Sequence, residues 1–210
     1  IALFAIFYAM IGYPLTLIIL DKILKRKNAR DYSNKPFVSI IISAYNEERV
    51  IERKLNNILE STYPNFEVIV ANDASTDATP QIVEDFIYAH PEANIRINTV
   101  KNHWGKTNAQ DEAVEVANGE ILVFSDANSM FKPDAIDELV AYFTDDSIEY
   151  VCGSLIYAKD DDVASVVAEN TYWDLELTMR RIESEIATIA AGNGAIYACR
   201  ESDYRHYDLV

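Results

Sequence analysis

Cysteine, proline and glycine are scarce in this 210-residue chain, which has 2 Cys, 6 Pro and 6 Gly. So few cysteines exclude a disulfide scaffold, and so little glycine and proline excludes collagen-like and low-complexity classes. Basic residues are in deficit too. Eighteen Lys and Arg stand against 34 Asp and Glu, a formal charge of −16. A nucleic-acid binder needs a basic footprint, so no nucleic-acid partner is expected. Several nucleotide and hydrolase signatures are missing. No G-x-G-x-x-G follows the first apolar run, where Ala44-Tyr45-Asn46-Glu47 stands instead. Gly105-Lys106-Thr107 could end a phosphate-binding P-loop, but the partner glycine position holds Val100. Neither a G-x-S-x-G nucleophile elbow nor an Asn-x-Ser/Thr sequon occurs.

What is present divides in two. Residues 1–35 carry 6 basic and 2 acidic side chains, and residues 36–210 carry 12 and 32. No charged residue occurs from Ile1 to Leu20, and a helix of about 20 residues spans roughly 30 Å, the hydrocarbon core of a bilayer. Lys22, Lys25, Arg26, Lys27 and Arg30 follow. A basic cluster after a span marks the cytoplasmic side, whereas a signal peptide carries its charges before the apolar stretch. The expected layout is a transmembrane helix over 1–21, a basic juxtamembrane linker over 22–36 and a cytoplasmic domain over 37–210 at the cell (inner) membrane. Because Ile1 already lies inside the apolar run, the span is expected to be truncated at its N-terminus. Cys152 and Cys199 lack metal-site spacing and are expected to be buried thiols.

Beyond Pro36, short apolar runs alternate with helical patterns. Strands are predicted at Phe37–Ser43, Phe66–Ala71, Ile95–Val100, Ile121–Ser125 and Ile148–Tyr157. Helices are predicted at Glu48–Leu59, from Thr79 as cap with Pro80 next, at Lys106–Ala117 and at Pro133–Phe143. A longer helix is predicted over Ser165–Ile186, its Leu175, Met179, Ile182, Ile186 stripe serving either the core or a membrane interface. Thr188–Cys199 reads as a further extended segment around Gly192-Asn193-Gly194. The β-α alternation implies an α/β fold, a mostly parallel sheet with helices on both faces. Ligands of such sheets bind outside the C-terminal strand ends, where four polar loops lie: 44–47, 72–77, 101–106 and 126–129.

Carboxylates at strand ends suit Mg²⁺ or Mn²⁺, oxygen-seeking ions that share their ligands with substrate phosphates. Asp126 and Asn128 lie two apart, and in an extended segment they would face one ion. Strand-end turns also favour Asp and Asn for local reasons.

The order VSIIISAYNEE, FEVIVANDASTDAT, KNHWGKTNAQDEAV, GEILVFSDANSMFKPDAI resembles the nucleotide-sugar-binding half of family 2 glycosyltransferases over about residues 36–200. It looks like the membrane-anchored branch that includes cellulose, hyaluronan and poly-N-acetylglucosamine synthases. The resemblance implies a Rossmann-like GT-A fold and an inverting transfer of sugar from a nucleotide-sugar, usually a UDP-sugar, to a saccharide or lipid acceptor. In that light Ala44, Tyr45 and Glu47 match the loop around base and ribose, and Asp73 matches the acceptor of a base hydrogen bond. Asp77 reads as a turn residue. Lys106 either faces the diphosphate or is a first-turn surface lysine. Asp126 and Asn128 fill the DxD metal motif, here with asparagine in the second place. Gly192, Asn193 and Gly194 either flank the acceptor or form a simple turn. No general base of the family's pattern is found, so it is expected beyond Val210. An alternative is a non-catalytic nucleotide-sugar-binding scaffold on the same fold, for which Asn128 is the motive.

Overall fold

The computed structural model describes residues 2–24, 28–154, 176–186, 188–189, 192 and 194–206. Two compact units emerge, one of 1–28 with 154–191 and one of 29–153 with 192–210.

In the first unit, α1 (Ala2–Phe7), a π-helical turn (Tyr8–Gly12) and α2 (Tyr13–Leu24) are continuous. Pro14 has no N–H, so an α-helical bond to residue 10 is lost and the wider turn forms just before it. Gly12 suits that turn, because a Cβ there would stand 2.7 Å from Tyr8 Cδ2. Ala5–Leu24 is one helix long and apolar enough to cross a membrane, and only 6% of its apolar window is buried. A core helix would be largely buried, but Met10, Ile19 and Ile23 are exposed. Residues 176–186 are helical with Ile182 buried. The rest of the helix expected over Ser165–Ile186 lies outside the described residues.

In the second unit, β1 (Val38–Ala44), β2 (Phe66–Asn72), β3 (Ile95–Thr99), β4 (Ile121–Asp126), β5 (Tyr150–Cys152) and β6 (Ile196–Arg200) form one sheet among the described residues. Its order is β3-β2-β1-β4-β6-β5. The first four strands run parallel, and β6 runs against both β4 and β5, so the sheet is mostly parallel. Among the described residues four α-helices accompany it: α3 (Ile51–Leu59), α4 (Thr79–Ala89), α5 (Lys106–Glu115) and α6 (Ala135–Val140). The two-residue period of strands sorts the core. Val38, Ile40, Ile42, Val68, Val70 and Val123 pack with Leu55, Val83 and Leu139 of α3, α4 and α6. Ile41, Ile69, Leu122 and Phe124 pack on the other face with Ala109 and Ala113 of α5. Burial on both faces is why these strands read as unbroken apolar runs.

Four expectations change. The strand expected over Ile148–Tyr157 is, within the described residues, the edge strand Tyr150–Cys152. Of the extended segment expected at Thr188–Cys199, Ile196–Cys199 falls in β6, antiparallel to its neighbours, after a turn at Gly194-Ala195. Arg200 pins its end, donating to the carbonyls of Phe143 (3.0 Å), Asp145 (3.1 Å) and Ile148 (2.6 Å). Thr79 opens α4 instead of capping it, and Asp77 Oδ1 takes its N–H at 2.9 Å. The stretch over 29–36 is strapped to α6: Asp31 N donates to Ala141 O (3.0 Å), Arg30 pairs with Glu138 (3.1 Å) and Lys35 pairs with Asp137.

Candidate active site

Register brings the polar loops to one edge of the sheet. Ala44 pairs with Asn72, Ser43 with Asp126, and Asn72 with Thr99, so the four parallel strands end level. The strand order reverses between β1 and β4, which is the crevice where open α/β sheets bind ligands.

Asp126 ends β4 and forms an ion pair with Lys106 in the first turn of α5. Gly105 turns the chain into that helix at φ 99°, a conformation that favours glycine. A Cβ on Gly194 would stand 3.5 Å from Lys106 Nζ and 3.8 Å from Asp126 Oδ2, so the Gly194 backbone lies against this pair. The Glu47 carboxyl is held above its usual range, first by burial and then by the negative charges of Asp126 and Asp77. Glu47 therefore feels the same field.

Behind Asp126, Lys54 of α3 is fully buried. Its ammonium donates to Ser125 Oγ (2.9 Å) and to the Ser129 carbonyl, and lies 3.4 Å from the centre of the Phe131 ring. Burial pulls this lysine down to about 7, against the opposing pull of Asp126. Ser125 Oγ also reaches the carbonyls of Asp126 and Ala195, each at 3.0 Å. Residues 127–128 form a turn, with Ser129 N donating to Asp126 O at 3.3 Å. The extended geometry expected for Asp126-Ala127-Asn128 therefore stops at Asp126. Ala127 is buried, and Asn128 is exposed with its Oδ1 3.4 Å from Ser129 Oγ.

On the other side of the edge, the buried Asp73 carboxylate accepts from Trp104 N at 3.2 Å and lies 2.8 Å from His103 Nδ1. The Tyr45 ring stacks on His103 with centroids 4.0 Å apart and planes 14° apart. Tyr45 is 44% and Trp104 63% exposed, so two open aromatic faces stand beside a buried carboxylate. Asn46 latches this loop to the next. Its N–H donates to Ser75 Oγ (3.0 Å), and its Oδ1 accepts from Thr76 N (2.9 Å) and Asp77 N (3.3 Å). Glu47 N donates to Thr79 Oγ1 (2.8 Å) and Glu48 N to Asp77 Oδ2 (3.1 Å). Asn46 and Ala74 hold positive φ of 56° and 53°. Asparagine tolerates this region, whereas alanine is strained there.

The structure thus gathers Glu47, Lys106, Asp126 and Gly194 on one side of the edge and Tyr45 and Asp73 on the other. Ala44 contributes its carbonyl, which accepts from Asp73 N at 2.9 Å. Gly192 lies elsewhere, against Tyr150 and Cys152, where a Cβ would clash with the tyrosine. Asn193 lies outside the described residues. Sequence reasoning did not single out Lys54, His103, Trp104 or Asn46. Lys54 carried a usable signal, since it sits three residues after Ile51 and four before Ile58, on the apolar side of α3.

Mg²⁺ or Mn²⁺ takes one or two carboxylates and completes its shell with water and substrate phosphate. Asp126 supplies one such carboxylate, ion-paired here with Lys106, whereas the turn at 127–128 removes the shared facing expected for Asn128, whose exposed amide oxygen lies 3.4 Å from Ser129 Oγ. Among the described residues no group of three or more His, Cys, Asp and Glu could cage an ion. The donor set suits an ion shared with a diphosphate, not one held by protein alone.

Several known proteins are similar to this chain in sequence and fold. The family model for glycosyl transferase family 2 matches residues 39–202. An uncharacterized glycosyltransferase of Haemophilus influenzae is 34% identical over 109 residues, which are 52% of this chain and 33% of that protein. The mannosyltransferase PcManGT of Pyrobaculum calidifontis, solved with GDP-Man and Mn²⁺, superposes with a TM-score of 0.78 and 28% identity over 94% of this chain and 55% of its own. S. aureus TarS, solved with UDP-GlcNAc, gives 0.52 and 25% over 60% of this chain and 36% of its own. This chain therefore spans between a third and about half of each of these proteins. With the family model covering most of its length and a GT-A neighbour covering nearly all of it, the chain belongs to glycosyl transferase family 2.

Proposed function

We propose that this chain is the donor-binding part of a membrane-anchored inverting glycosyltransferase. Its donor is a nucleoside diphosphate-sugar, and its acceptor is a saccharide or lipid-linked sugar of a cell-envelope glycan. The observation that carries this reading is the meeting of Asp126, Lys106 and Gly194 at the same strand edge as the buried Asp73 and the exposed Tyr45 ring.

Each residue has a task that its surroundings allow. Asp73, already desolvated and accepting hydrogen bonds, takes an N–H from the base, and Tyr45 offers the base a stacking face. Lys106 holds Asp126 in the absence of donor and turns its ammonium to the diphosphate when donor binds. Gly194 has no side chain to fill the space beside Lys106 and Asp126, which leaves room for the sugar. Asp126 and Asn128 would hold a divalent ion, which when bound neutralises charge on the leaving diphosphate. In the transfer an acceptor hydroxyl forms a bond to the anomeric carbon as the bond to the diphosphate oxygen breaks. The nucleoside diphosphate leaves with that electron pair, and the hydroxyl proton goes to a carboxylate base. Holding donor and acceptor in line supplies the proximity contribution.

UDP is the expected nucleotide from the family resemblance, and the solved neighbours carry either GDP-Man or UDP-GlcNAc. The exposed apolar helix Ala5–Leu24 supports a membrane anchor. The test is turnover of UDP-glucose, UDP-N-acetylglucosamine and GDP-mannose by the full-length protein with Mn²⁺ or Mg²⁺. One donor is expected to be consumed, with activity lost at least about a thousandfold in Asp126→Ala. Turnover unchanged in that variant contradicts the site.

A further inference from the structure

Burying an ammonium without a carboxylate partner is among the least favourable placements a side chain can have. Lys54 is fully buried, and among the described residues it makes no direct ion pair, although the nearby charge of Asp126 favours its protonated form. Its partners are the Ser125 hydroxyl at 2.9 Å, the Ser129 carbonyl and the face of Phe131. All three flank Asp126: Ser125 precedes it, Ser129 closes its turn and Phe131 follows. Ser125 carries the connection on to the Ala195 carbonyl at 3.0 Å, next to the Gly194 backbone that lies against Lys106 and Asp126. One ammonium thereby ties together the end of β4, the turn after it and, through Ser125, the turn before β6. A methionine of similar length would fill the same space between α3 and the sheet without the desolvation cost. Helix packing alone therefore does not account for the charge.

We propose that Lys54 is the positioning residue of the diphosphate side of the site, holding the Asp126 turn and the Gly194–Ala195 turn at the spacing a bound donor requires. The proposal rests on the transferase reading above. Lys54 touches no substrate; it acts through Ser125 and Ser129.

The test compares wild type, Lys54→Met, Ser125→Ala and the double variant in the full-length protein, using whichever of UDP-glucose, UDP-N-acetylglucosamine or GDP-mannose the wild type consumes. Thermal midpoint, donor KM and kcat are read for each. Lys54→Met is expected to melt at or above the wild-type temperature, because a buried charge has gone. Its KM should stay within about threefold while kcat falls at least about tenfold, the mark of lost alignment. Ser125→Ala should show the same split while leaving the lysine in place. The double variant should lose no more than the worse single one, since both break one connection. Unchanged kcat, or a fall in kcat that tracks a fall in melting temperature, overturns the proposal, as do additive losses. If the wild type itself consumes no donor, the transferase reading fails and the assignment falls with it, an outcome distinct from these three.

Discussion

At the residue scale, the place proposed for the base is occupied by the protein's own side chains. Asp73 receives Trp104 N on one oxygen and faces the His103 ring on the other, and Tyr45 stacks on that ring. The imidazole has the attributes a nucleobase would bring: a flat nitrogen heterocycle beside the Asp73 carboxylate and stacked on Tyr45. A base that bonds to Asp73 has to move His103 away from Oδ2. Replacing His103 by Ala removes this competitor, and UDP or GDP is expected to bind about three- to tenfold tighter by titration calorimetry, since a mostly closed site lowers apparent affinity by its open fraction. Weaker binding would make the ring a wall of the base site instead. Asp126 stood out in the sequence because it ends an apolar strand run, and Asp73 because the loop after β2 resembles the family's pattern. His103 did not, and Lys54 showed only as a lysine on the apolar side of a helix, because what makes them matter lies about 30 and more than 70 residues away, at Asp73 and at Ser125 and Ser129.

At the scale of elements, β1, β2 and β4 were legible because doubly buried strands leave an unbroken apolar signature. The position of β6 was not, since nothing in IYACR says which neighbour it joins or in which direction. Arg200 and its three carbonyl partners settle that only in three dimensions. The same holds for Glu67, which lies buried at the start of β2. It accepts from Ser39 Oγ (2.6 Å), Asn118 N (2.8 Å) and Arg96 Nη1 (2.6 Å). Burial raises its carboxyl and these hydrogen bonds outweigh that, so the group is held below its usual range. It ties β1, β2, β3 and the α5–β4 loop together at the end opposite the site. Glu67→Ala leaves a buried Ser39 hydroxyl and the partly exposed Arg96 without their acceptor, and is expected to cost about 3 kcal/mol by denaturant unfolding. The loss applies where Glu67 is ionised in both states. Below its ordinary value the unfolded chain takes up the proton first, so the gap closes as pH falls further, through the lowered native value. A cost under about 0.5 kcal/mol at neutral pH would contradict this role.

At the scale of the whole molecule, the deficit of basic residues becomes an argument about two environments. Residues 1–35 carry a net excess of cations, 6 basic against 2 acidic, beside the exposed apolar helix, and under the proposed anchor an anionic lipid surface would favour them. Under the proposed function the acidic remainder receives a negatively charged donor. It can do so only where its carboxylates are locally answered: Asp126 by Lys106, Asp73 by the Trp104 amide and His103. The central claim is that this edge of the sheet binds a nucleoside diphosphate. Titration calorimetry of the chain with UDP and with GDP, each with Mn²⁺, tests it directly when wild type is run beside Asp73→Ala and Asp126→Ala. The account predicts that one of the two nucleotides binds the wild type one to one, and that each substitution weakens it at least about tenfold, the worth of one hydrogen bond to a charged group. Binding of neither nucleotide, or equal binding by all three proteins, would contradict it.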